Sequence, residues 1–338
     1  MLKLKKLLRA GAAVGALLFA QVASSQIIVM GGNPQGSIYY PVAQGLANIV
    51  SKYSPDTKID ILPQSGTVFI PMFVTGEVDL GIVNPIEARF ALTAEAPFDK
   101  GNQGKGYAMW TVMQGSPIRV ALITSSDSGI MKIEDLKGKR VVANYGAYKG
   151  ASISVESALA NAGLSLDDVR VVNVSSYPEG VRAVLEGRAD AAIGSIGSGI
   201  VQELDASKGA RFLSVDPSGD AMKRTTAVSQ AWFSMPMKAG ETAGVKEDIN
   251  VLAYNMTVMS RFDLSDELVT KFIDAVWEHE DELTSTSRLL ATWTKDRFVT
   301  PQATVPYHPA AVEYYKDKGV WTAEMDEIQE VLLKDLPS

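Results

Sequence analysis

The sequence contains no cysteine, and this absence excludes several kinds of protein. No disulfide can hold the fold together, so a hydrophobic core of adequate size has to do so. A zinc site built on thiolates is impossible, and only His279 and His308 could supply imidazole ligands. A lipid-modified export signal, which needs a cysteine at the cleavage point, is excluded as well. We expect neither a bound metal nor a cofactor.

The sequence also lacks a cluster of basic residues in its main part. The formal net charge is −7, and the first 25 residues carry four basic residues and no acid. Without them the charge would be −11. A chain this acidic is a poor partner for nucleic acids or for anionic membrane surfaces, so we expect no nucleic-acid binding.

Catalytic motifs are missing too. There is no Gly-x-Ser-x-Gly elbow followed by triad partners, no His-Glu-x-x-His helix and no Gly-Lys-Ser/Thr phosphate loop. The stretch GGNPQG fails the spacing of a dinucleotide-binding loop, and Pro34 interrupts it. We therefore expect a binding protein with no catalytic residues. An exported enzyme is the disfavoured alternative.

The N-terminus has the pattern of a secretory signal peptide. Basic residues in MLKLKKLLRA precede an apolar run from Ala10 to Ala20, and small residues follow. The apolar run is too short for a membrane-spanning helix. We expect cleavage after Ser25, with Ala23 at the third position back, and a periplasmic mature protein.

An internal repeat dominates the remaining sequence. FVTGEVDLGIVN ends one half, and VLEGRADAAIGS ends a second half of the same plan. In each half, hydrophobic periodicity predicts the order strand, loop, helix, strand, loop, helix, strand. Such alternation predicts parallel strands joined by crossover helices, and two copies predict two α/β lobes.

The Gly-x-x-Asp pattern within each repeat predicts a structural turn. Gly76 and Gly187 are expected to end a helix in the left-handed conformation, which glycine adopts readily. Asp79 and Asp190 are expected to bond backbone groups at the turn and are not counted as ligand contacts.

Six loops at the predicted strand ends share one chemistry. They are GGNPQGS, PQSGTV, VNPIE, ANYGAYKG, SSYPEG and GSIGSG, rich in glycine, hydroxyl and amide groups and poor in charge. Ligands bind outside the carboxyl ends of strands in open α/β sheets. Helix N-termini attract anions through free N–H groups and the helix dipole. The loops therefore predict an anion-binding cleft between two lobes.

Several of these stretches, taken in order, resemble one family. GGNPQGSIYYPVAQGLANIVSK, QSGTV, GEVDLGIVN, DLKGKRVVAN and VPYHPAAVEYYKDKG resemble the TAXI family of extracytoplasmic solute receptors. The similarity extends from about Ile27 to Gly319. It implies a receptor that delivers a small organic anion, such as a dicarboxylate, a keto acid (2-oxoglutarate) or an acidic amino acid (glutamate), to the membrane-embedded permease subunits of a TRAP transporter.

Two alternatives share this architecture: the binding protein of an ABC importer, and a periplasmic ligand sensor that docks on a membrane receptor. In each case we expect a monomer. The expected fold is α/β and two-lobed, of the periplasmic-binding-protein type. Each lobe is a mainly parallel sheet flanked by helices, and a helical C-terminal segment packs on lobe one. The expected divisions are 1–25 (signal peptide), 26–119 (lobe one), 120–228 (lobe two) and 229–338 (return strand and C-terminal helices of lobe one).

The candidate ligand-binding residues lie in the six loops and at the start of the following helices. Glycine, serine and threonine would bind a carboxylate through N–H and hydroxyl groups, and tyrosines would form the walls. Three cations form a possible charged clamp, because arginine suits a carboxylate: Arg89, Arg119 and Lys149. The candidate ligand-binding residues are Asn33, Gln35, Gly36, Ser37, Tyr39, Ser65, Gly66, Thr67, Asn84, Asn144, Tyr145, Tyr148, Ser154 and Ser195.

Overall fold

The computed structural model describes residues 26–35, 37–146 and 148–337, so the predicted signal peptide and Gly36 lie outside the described residues. None of the helices within these ranges combines the length and hydropathy that a membrane span requires. The strands are β1 (Gln26–Gly31), β2 (Thr57–Leu62), β3 (Leu80–Val83), β4 (Met109–Ser125), β5 (Arg140–Asn144), β6 (Arg170–Asn173), β7 (Ala192–Ser195), β8 (Ala210–Phe212), β9 (Phe233–Met237) and β10 (Ile249–Arg261). The helices are α1 (Tyr39–Tyr53), α2 (Gly66–Phe69), α3 (Met72–Thr75), α4 (Pro85–Leu92), α5 (Lys149–Asn161), α6 (Tyr177–Leu185), α7 (Gly199–Lys208), α8 (Gly219–Val228), α9 (Asp266–Glu278), α10 (Glu280–Thr286), α11 (Pro309–Asp317) and α12 (Ala323–Leu333).

The predicted internal repeat is confirmed by the order of elements and by the strand pairing. In the first half, β1 lies between β2 and β3 and is parallel to both. In the second half, β5 is parallel to β6, and a parallel bridge joins Val141 to Ala191 just before β7. In both halves, the first strand of the unit therefore lies between the second and the third strands.

The aspartates of the repeat have the same structural role in both halves. The carboxylate of Asp79 accepts a hydrogen bond from the Val29 backbone N–H at 2.9 Å, and that of Asp190 accepts one from the Arg140 N–H at 2.7 Å. The glycines three residues earlier, Gly76 and Gly187, have φ values of 71° and 72°, the left-handed conformation predicted for them. Each turn therefore ties the third strand of its unit to the first.

Two long antiparallel strands connect the halves. β10 pairs with β3 through residues 257–260 and with β9 through residues 249–253, while β4 pairs with β10 along most of its length and then with β7 and β8. The strands form one eight-stranded mixed sheet and a separate parallel pair, β5 and β6. The fold is α/β and two-lobed, as predicted, and we call the half with β1–β3 lobe one and the half with β5–β8 lobe two. The expected division at residues 119 and 120 falls inside β4, and the one at 228 and 229 follows α8. These exact boundaries stay predictions.

The C-terminal helices pack against lobe one. The Ser265 hydroxyl caps α9 by accepting a hydrogen bond from the Leu268 N–H, and the apolar face of α9 is buried. An ion pair of 2.7 Å joins Lys271 of α9 to Asp56, and another of 2.6 Å joins Lys52 of α1 to Glu282 of α10. These ion pairs join the C-terminal helices to α1 and to the loop that follows it.

Candidate functional site

A single cleft of about 750 Å³ brings all six predicted loops together between the lobes. Its volume lies within the range of sites for small ligands. The lobe-one wall consists of Asn33, Pro34, Gln35, Ser37, Ile38, Tyr39, Ser65, Thr67, Asn84 and Glu87. The lobe-two wall consists of Tyr148, Gly150, Ala151, Ser154, Ser176, Tyr177, Pro178, Ser195, Ser198, Gly199 and Ile200. The floor consists of Ile118, Val120, Ile193 and Tyr254, which lie on β4, β7 and β10.

Backbone geometry fixes the polar side chains of the lobe-one wall. Asn33 has a left-handed φ of 63°, which asparagine tolerates, and its side-chain amide donates to the Ile82 carbonyl at 2.9 Å. Asn84 ends β3 and caps α4, because its side-chain oxygen accepts a hydrogen bond from the Ile86 N–H at 2.9 Å. These contacts leave two amide side chains held at the edge of the cleft.

The lobe-two wall presents the starts of three helices. The helices α5, α6 and α7 begin at the cleft. Their N-cap residues are Tyr148, Ser176 and Ser198, and none of these three side chains accepts a hydrogen bond from the start of its helix. The first N–H groups of a helix have no partner within that helix. Together with the helix dipole they make this wall favourable for a negatively charged group.

Tyr177 connects two of the predicted loops. Its hydroxyl accepts a hydrogen bond from the backbone N–H of Ser195 and lies 3.4 Å from the Ser198 hydroxyl oxygen. The end of β7 and the start of α7 are therefore held by one side chain from α6. This contact fixes the relative position of the two serines.

A pair of tyrosines joins the lobe-one wall to the floor, which is otherwise apolar. The Tyr39 hydroxyl donates to that of Tyr254 at 3.3 Å, and the Tyr254 ring packs edge-on against Trp232, with ring centroids 5.4 Å apart. Burial raises the pKa of both phenols well above the ordinary value, so both stay neutral at physiological pH. The pair joins the start of α1 to the crossing strand β10.

Glu87 is the one residue with a formal charge among the described residues that line the cleft. It lies in the first turn of α4 and is partly buried. Burial raises its pKa from 4.5 to about 7, and no other cause contributes. At neutral pH this carboxyl is therefore divided between its protonated and ionised forms.

The two walls approach each other closely at Asn84 and Gly150. A methyl group added at Gly150 would lie 2.8 Å from the Asn84 side-chain nitrogen. Gly150 lies in the first turn of α5 and Asn84 caps α4, so the absence of a side chain at residue 150 lets the helix starts of the two lobes come together.

Most of the predicted ligand-binding residues line this cleft, and their role as ligand contacts stays a prediction. Residues of both lobes are included, and they supply hydroxyl and amide groups. They are Asn33, Gln35, Ser37, Tyr39, Ser65, Thr67, Asn84, Tyr148, Ser154 and Ser195.

Three other predicted residues do not line the cleft in this structure. Gly66 is buried at the start of α2, where an added methyl would lie 2.8 Å from a carboxylate oxygen of Glu87. Asn144 is exposed and its side chain accepts a hydrogen bond from the Gly146 N–H. Tyr145 is fully buried behind the lobe-two wall, where its hydroxyl accepts a hydrogen bond from the Ile193 N–H at 3.0 Å.

The three predicted cations are also absent from the cleft lining among the residues that the structure describes. Arg89 forms an ion pair of 2.8 Å with Asp335, and Arg119 forms one of 2.7 Å with Glu241. Lys149 begins α5 but is not a wall residue. A charged clamp around the cleft stays a prediction, and none of its three members lines the described part of the cleft.

Sequence reasoning missed five polar residues of the cleft, one of which is Ser176 in the predicted loop SSYPEG. Tyr177 and Ser198 lie in the predicted loops SSYPEG and GSIGSG, so the loop pattern could have found them. Tyr254 lies in the middle of a long strand, where nothing in the sequence distinguishes it from a core residue. Glu87 follows Asn84 by three residues, a position where glutamate usually serves as part of a helix cap.

Solved structures with the same fold are periplasmic binding proteins. The aliphatic sulphonate-binding protein SsuA from Escherichia coli matches with a TM-score of 0.51 and 16% identity, over 92% of this chain and 95% of that one. PhnD1 from Prochlorococcus marinus (MIT 9301), in complex with methylphosphonate, matches with a TM-score of 0.52 and 11% identity, over 88% and 99%. A binding protein component of an ABC phosphonate transporter from Pseudomonas aeruginosa matches with a TM-score of 0.50 and 14% identity, over 92% and 97%.

At these identities the likeness concerns the fold, which is the two-lobed fold of periplasmic binding proteins. A family model gives the stronger assignment, because it matches most of the chain. The model of the NMT1-like family matches residues 30–319, a range that includes both lobes, the crossing strands and every wall of the cleft. The chain belongs to the NMT1-like family.

Proposed function

We propose that this protein is an extracytoplasmic solute-binding protein that binds a small organic anion between its lobes and delivers it to a membrane transporter. The observation that carries the proposal is the convergence of six polar loops, three from each half of an internal repeat, on one cleft. The loops belong to different strands and helices, and they share both their composition and their position at strand ends, where ligands bind in open α/β sheets.

Neutral donors would hold the anion. The starts of α5, α6 and α7 offer backbone N–H groups, and serine and tyrosine hydroxyls surround them. The proteins of similar fold described above are named for sulphonates and phosphonates, whose charged oxygens suit such donors. We therefore extend the proposed ligand class from carboxylates to sulfonates and phosphonates. The sequence-based choice of a dicarboxylate, a keto acid or glutamate has no support from those proteins.

The comparisons favour the ABC importer, which the sequence left as an alternative, over the TRAP transporter. The resemblance to the TAXI family suggested TRAP permease subunits as partners. The similar structure from Pseudomonas aeruginosa is named as part of an ABC phosphonate transporter. We propose an ABC permease as the membrane partner, a periplasmic location for the mature protein and no catalytic activity.

The proposal can be tested by thermal unfolding and calorimetry with a panel of small sulfonates, phosphonates and carboxylates. A ligand at a hundredfold its dissociation constant should add about 2.7 kcal/mol to the free energy of unfolding. If all members of the panel leave the melting temperature unchanged and produce no binding heat, the proposed function is wrong.

Two glycine variants test whether binding takes place in the cleft. Gly199 and Gly219 are each the first residue of a helix, and an added Cβ meets no atom within 4 Å at either position. Gly199 lines the cleft and Gly219 does not. Gly199→Trp should abolish binding while Gly219→Trp leaves the affinity unchanged. Equal affinities of the two variants would place the ligand elsewhere.

The class of transporter can be tested with membrane vesicles that contain the permease. Uptake that depends on this protein should require ATP and should survive collapse of the ion gradients. Uptake that is abolished by an ionophore and needs no ATP would favour the TRAP transporter.

A further inference from the structure

The carboxyl group of Glu87 does not make the contact that is usual for its position. It is the third residue of α4, and Glu179 is the third residue of α6. Glutamate at this position commonly turns back to accept hydrogen bonds at the start of its helix. Glu179 does so, accepting from the N–H and the hydroxyl of Ser175 at 3.2 and 3.0 Å. Glu87 lines the cleft instead, and one of its carboxylate oxygens lies against Gly66 at the start of α2.

The surroundings of Glu87 suit a positive charge. The side chains of Tyr39 and Tyr254 line the same cleft as Glu87. Lysine, arginine and histidine are absent from the described part of the cleft lining. A carboxylate beside tyrosine rings is a favourable environment for a protonated amine, through a charge-assisted hydrogen bond and attraction to the aromatic faces.

The opposite wall suits a negative charge. Three helix starts without a side-chain cap, those of α5, α6 and α7, lie on the lobe-two wall. Glu87 lies on the lobe-one wall. Helix starts lie on both walls, and Glu87 adds an acidic group to the lobe-one wall alone.

We propose that the ligand is a zwitterion, whose anionic head binds at the starts of α6 and α7 and whose protonated amine pairs with Glu87. The inference rests on the proposed function, since it names the ligand class of the same cleft. Such a ligand would contact both lobes with groups of opposite charge, so its binding would favour the closed arrangement of the walls. A ligand with an anionic head alone would leave an ionised Glu87 buried without a partner.

Matched pairs of ligands test the proposal by calorimetry at pH 8, where Glu87 is ionised. The pairs are 2-aminoethanesulfonate with 2-hydroxyethanesulfonate, 2-aminoethylphosphonate with propylphosphonate, and 3-aminopropanoate with butanoate. Within the pair whose head group binds, the amine should bind at least about tenfold more tightly, the size expected for a hydrogen bond between charged groups.

Two glutamine variants assign the preference to Glu87. Glu87→Gln keeps the size of the side chain and should abolish the preference for the amine. Glu156→Gln is the matched control, because Glu156 is also partly buried with a raised pKa but does not line the cleft. It should leave the preference intact.

The outcomes separate this inference from the proposed function. If ligands without an amine bind wild type as tightly as their amine partners, or if Glu87→Gln keeps the preference, the zwitterion is wrong and the solute-binding function stands. If no member of any pair binds, the proposed function fails together with the inference.

Proton exchange on binding gives a second test that needs no variant. At pH 6.5 a large part of Glu87 is protonated, and an amine that pairs with it would displace the proton. Titrations in two buffers of different ionisation enthalpy should therefore show proton release. Proton uptake would mean that a protonated Glu87 donates a hydrogen bond to an anion, and would overturn the proposal.

Discussion

Replacement of Glu87 by glutamine should change how the stability of the protein depends on pH. Burial raises the pKa of this carboxyl to about 7, so the folded state holds the proton more tightly than the unfolded chain. The contribution of Glu87 to the free energy of unfolding is fully present below pH 4.5. It decreases as the pH rises to about 7 and is constant above that. Glutamine does not titrate, so the variant should lack this decrease.

The magnitude follows from the two pKa values. A tenfold change in proton affinity corresponds to about 1.4 kcal/mol, which gives an upper limit of about 3 kcal/mol for Glu87. The side chain keeps part of its surface in contact with solvent, which screens the ionised form. We therefore expect the stability of Glu87→Gln relative to wild type to increase by about 2 kcal/mol between pH 4 and pH 8.

Urea denaturation of both proteins at pH 4, 6 and 8, followed by tryptophan fluorescence, measures this difference. Glu179→Gln is the control, because hydrogen bonds from the N–H and hydroxyl of Ser175 lower the pKa of Glu179. Its stability relative to wild type should change with pH in the opposite direction. If the difference between Glu87→Gln and wild type is the same at all three pH values, Glu87 is not buried as described.

Three further variants have expected outcomes. Gly150→Ala should weaken ligand binding about tenfold, because its methyl group would meet the Asn84 side chain at 2.8 Å and oppose closure of the walls. Tyr145→Phe should lower the free energy of unfolding by about 1–3 kcal/mol in urea denaturation, because the buried Ile193 N–H loses its acceptor. Arg119→Gln should change the free energy of unfolding by about 1 kcal/mol or less and leave the affinity unchanged in calorimetry, since its partner lies at the surface.

Each of these variants has an informative contrary result. The control for Gly150→Ala is Gly219→Ala, which adds a methyl group at another helix start where the space is open. If Gly150→Ala binds the ligand as tightly as wild type does, the two walls do not approach each other at Gly150 and Asn84. A Tyr145→Phe protein as stable as wild type would mean that the Ile193 N–H has another acceptor. A tenfold loss of affinity in Arg119→Gln would restore this arginine as part of a charged clamp.

The fold could be predicted because its signals are local and occur twice. Gly76 and Gly187 adopt the left-handed conformation. The aspartate three residues after each of them accepts a hydrogen bond from a backbone N–H of the first strand of its unit. The alternation of strand and helix then fixes which loops lie at the carboxyl ends of strands. The position of the cleft can be predicted from that topology alone, even when the side chains that point into it are not known.

The direction of individual side chains could not be predicted in the same way. Tyr145 and Tyr148 belong to one loop, yet the first is buried and the second lines the cleft. The difference comes from Gly180, where the absence of a side chain leaves room for the Tyr145 ring, 2.7 Å from the position of the missing Cβ. A contact between residues 35 positions apart in the sequence leaves no local pattern.

The ion pairs of the predicted cations could not be foreseen for a related reason. Arg89 and Arg119 each stand near a predicted cleft loop, but their partners lie 246 and 122 residues away in the sequence. Asp335 belongs to the C-terminal segment that packs on lobe one, and Glu241 to the connection before β10. Spacing along the sequence shows where a charge is, while only the tertiary fold shows which charge neutralises it.

The absence of those cations from the described cleft lining makes the remaining charge decisive for the ligand. Helix N-termini and hydroxyl groups can hold an oxyanion of almost any shape, so they select the charge of the ligand more than its identity. A carboxyl group in the same cleft adds a second condition, because burial disfavours its ionised form unless a cation pairs with it. A ligand with both an anionic group and a cation satisfies the helix starts and pairs with the ionised carboxylate at neutral pH. When a simple anion binds, the carboxyl group has no cation to pair with and has to take up a proton. On the proposed function, the specificity of this cleft therefore depends on Glu87 more than on the residues proposed to bind the anion.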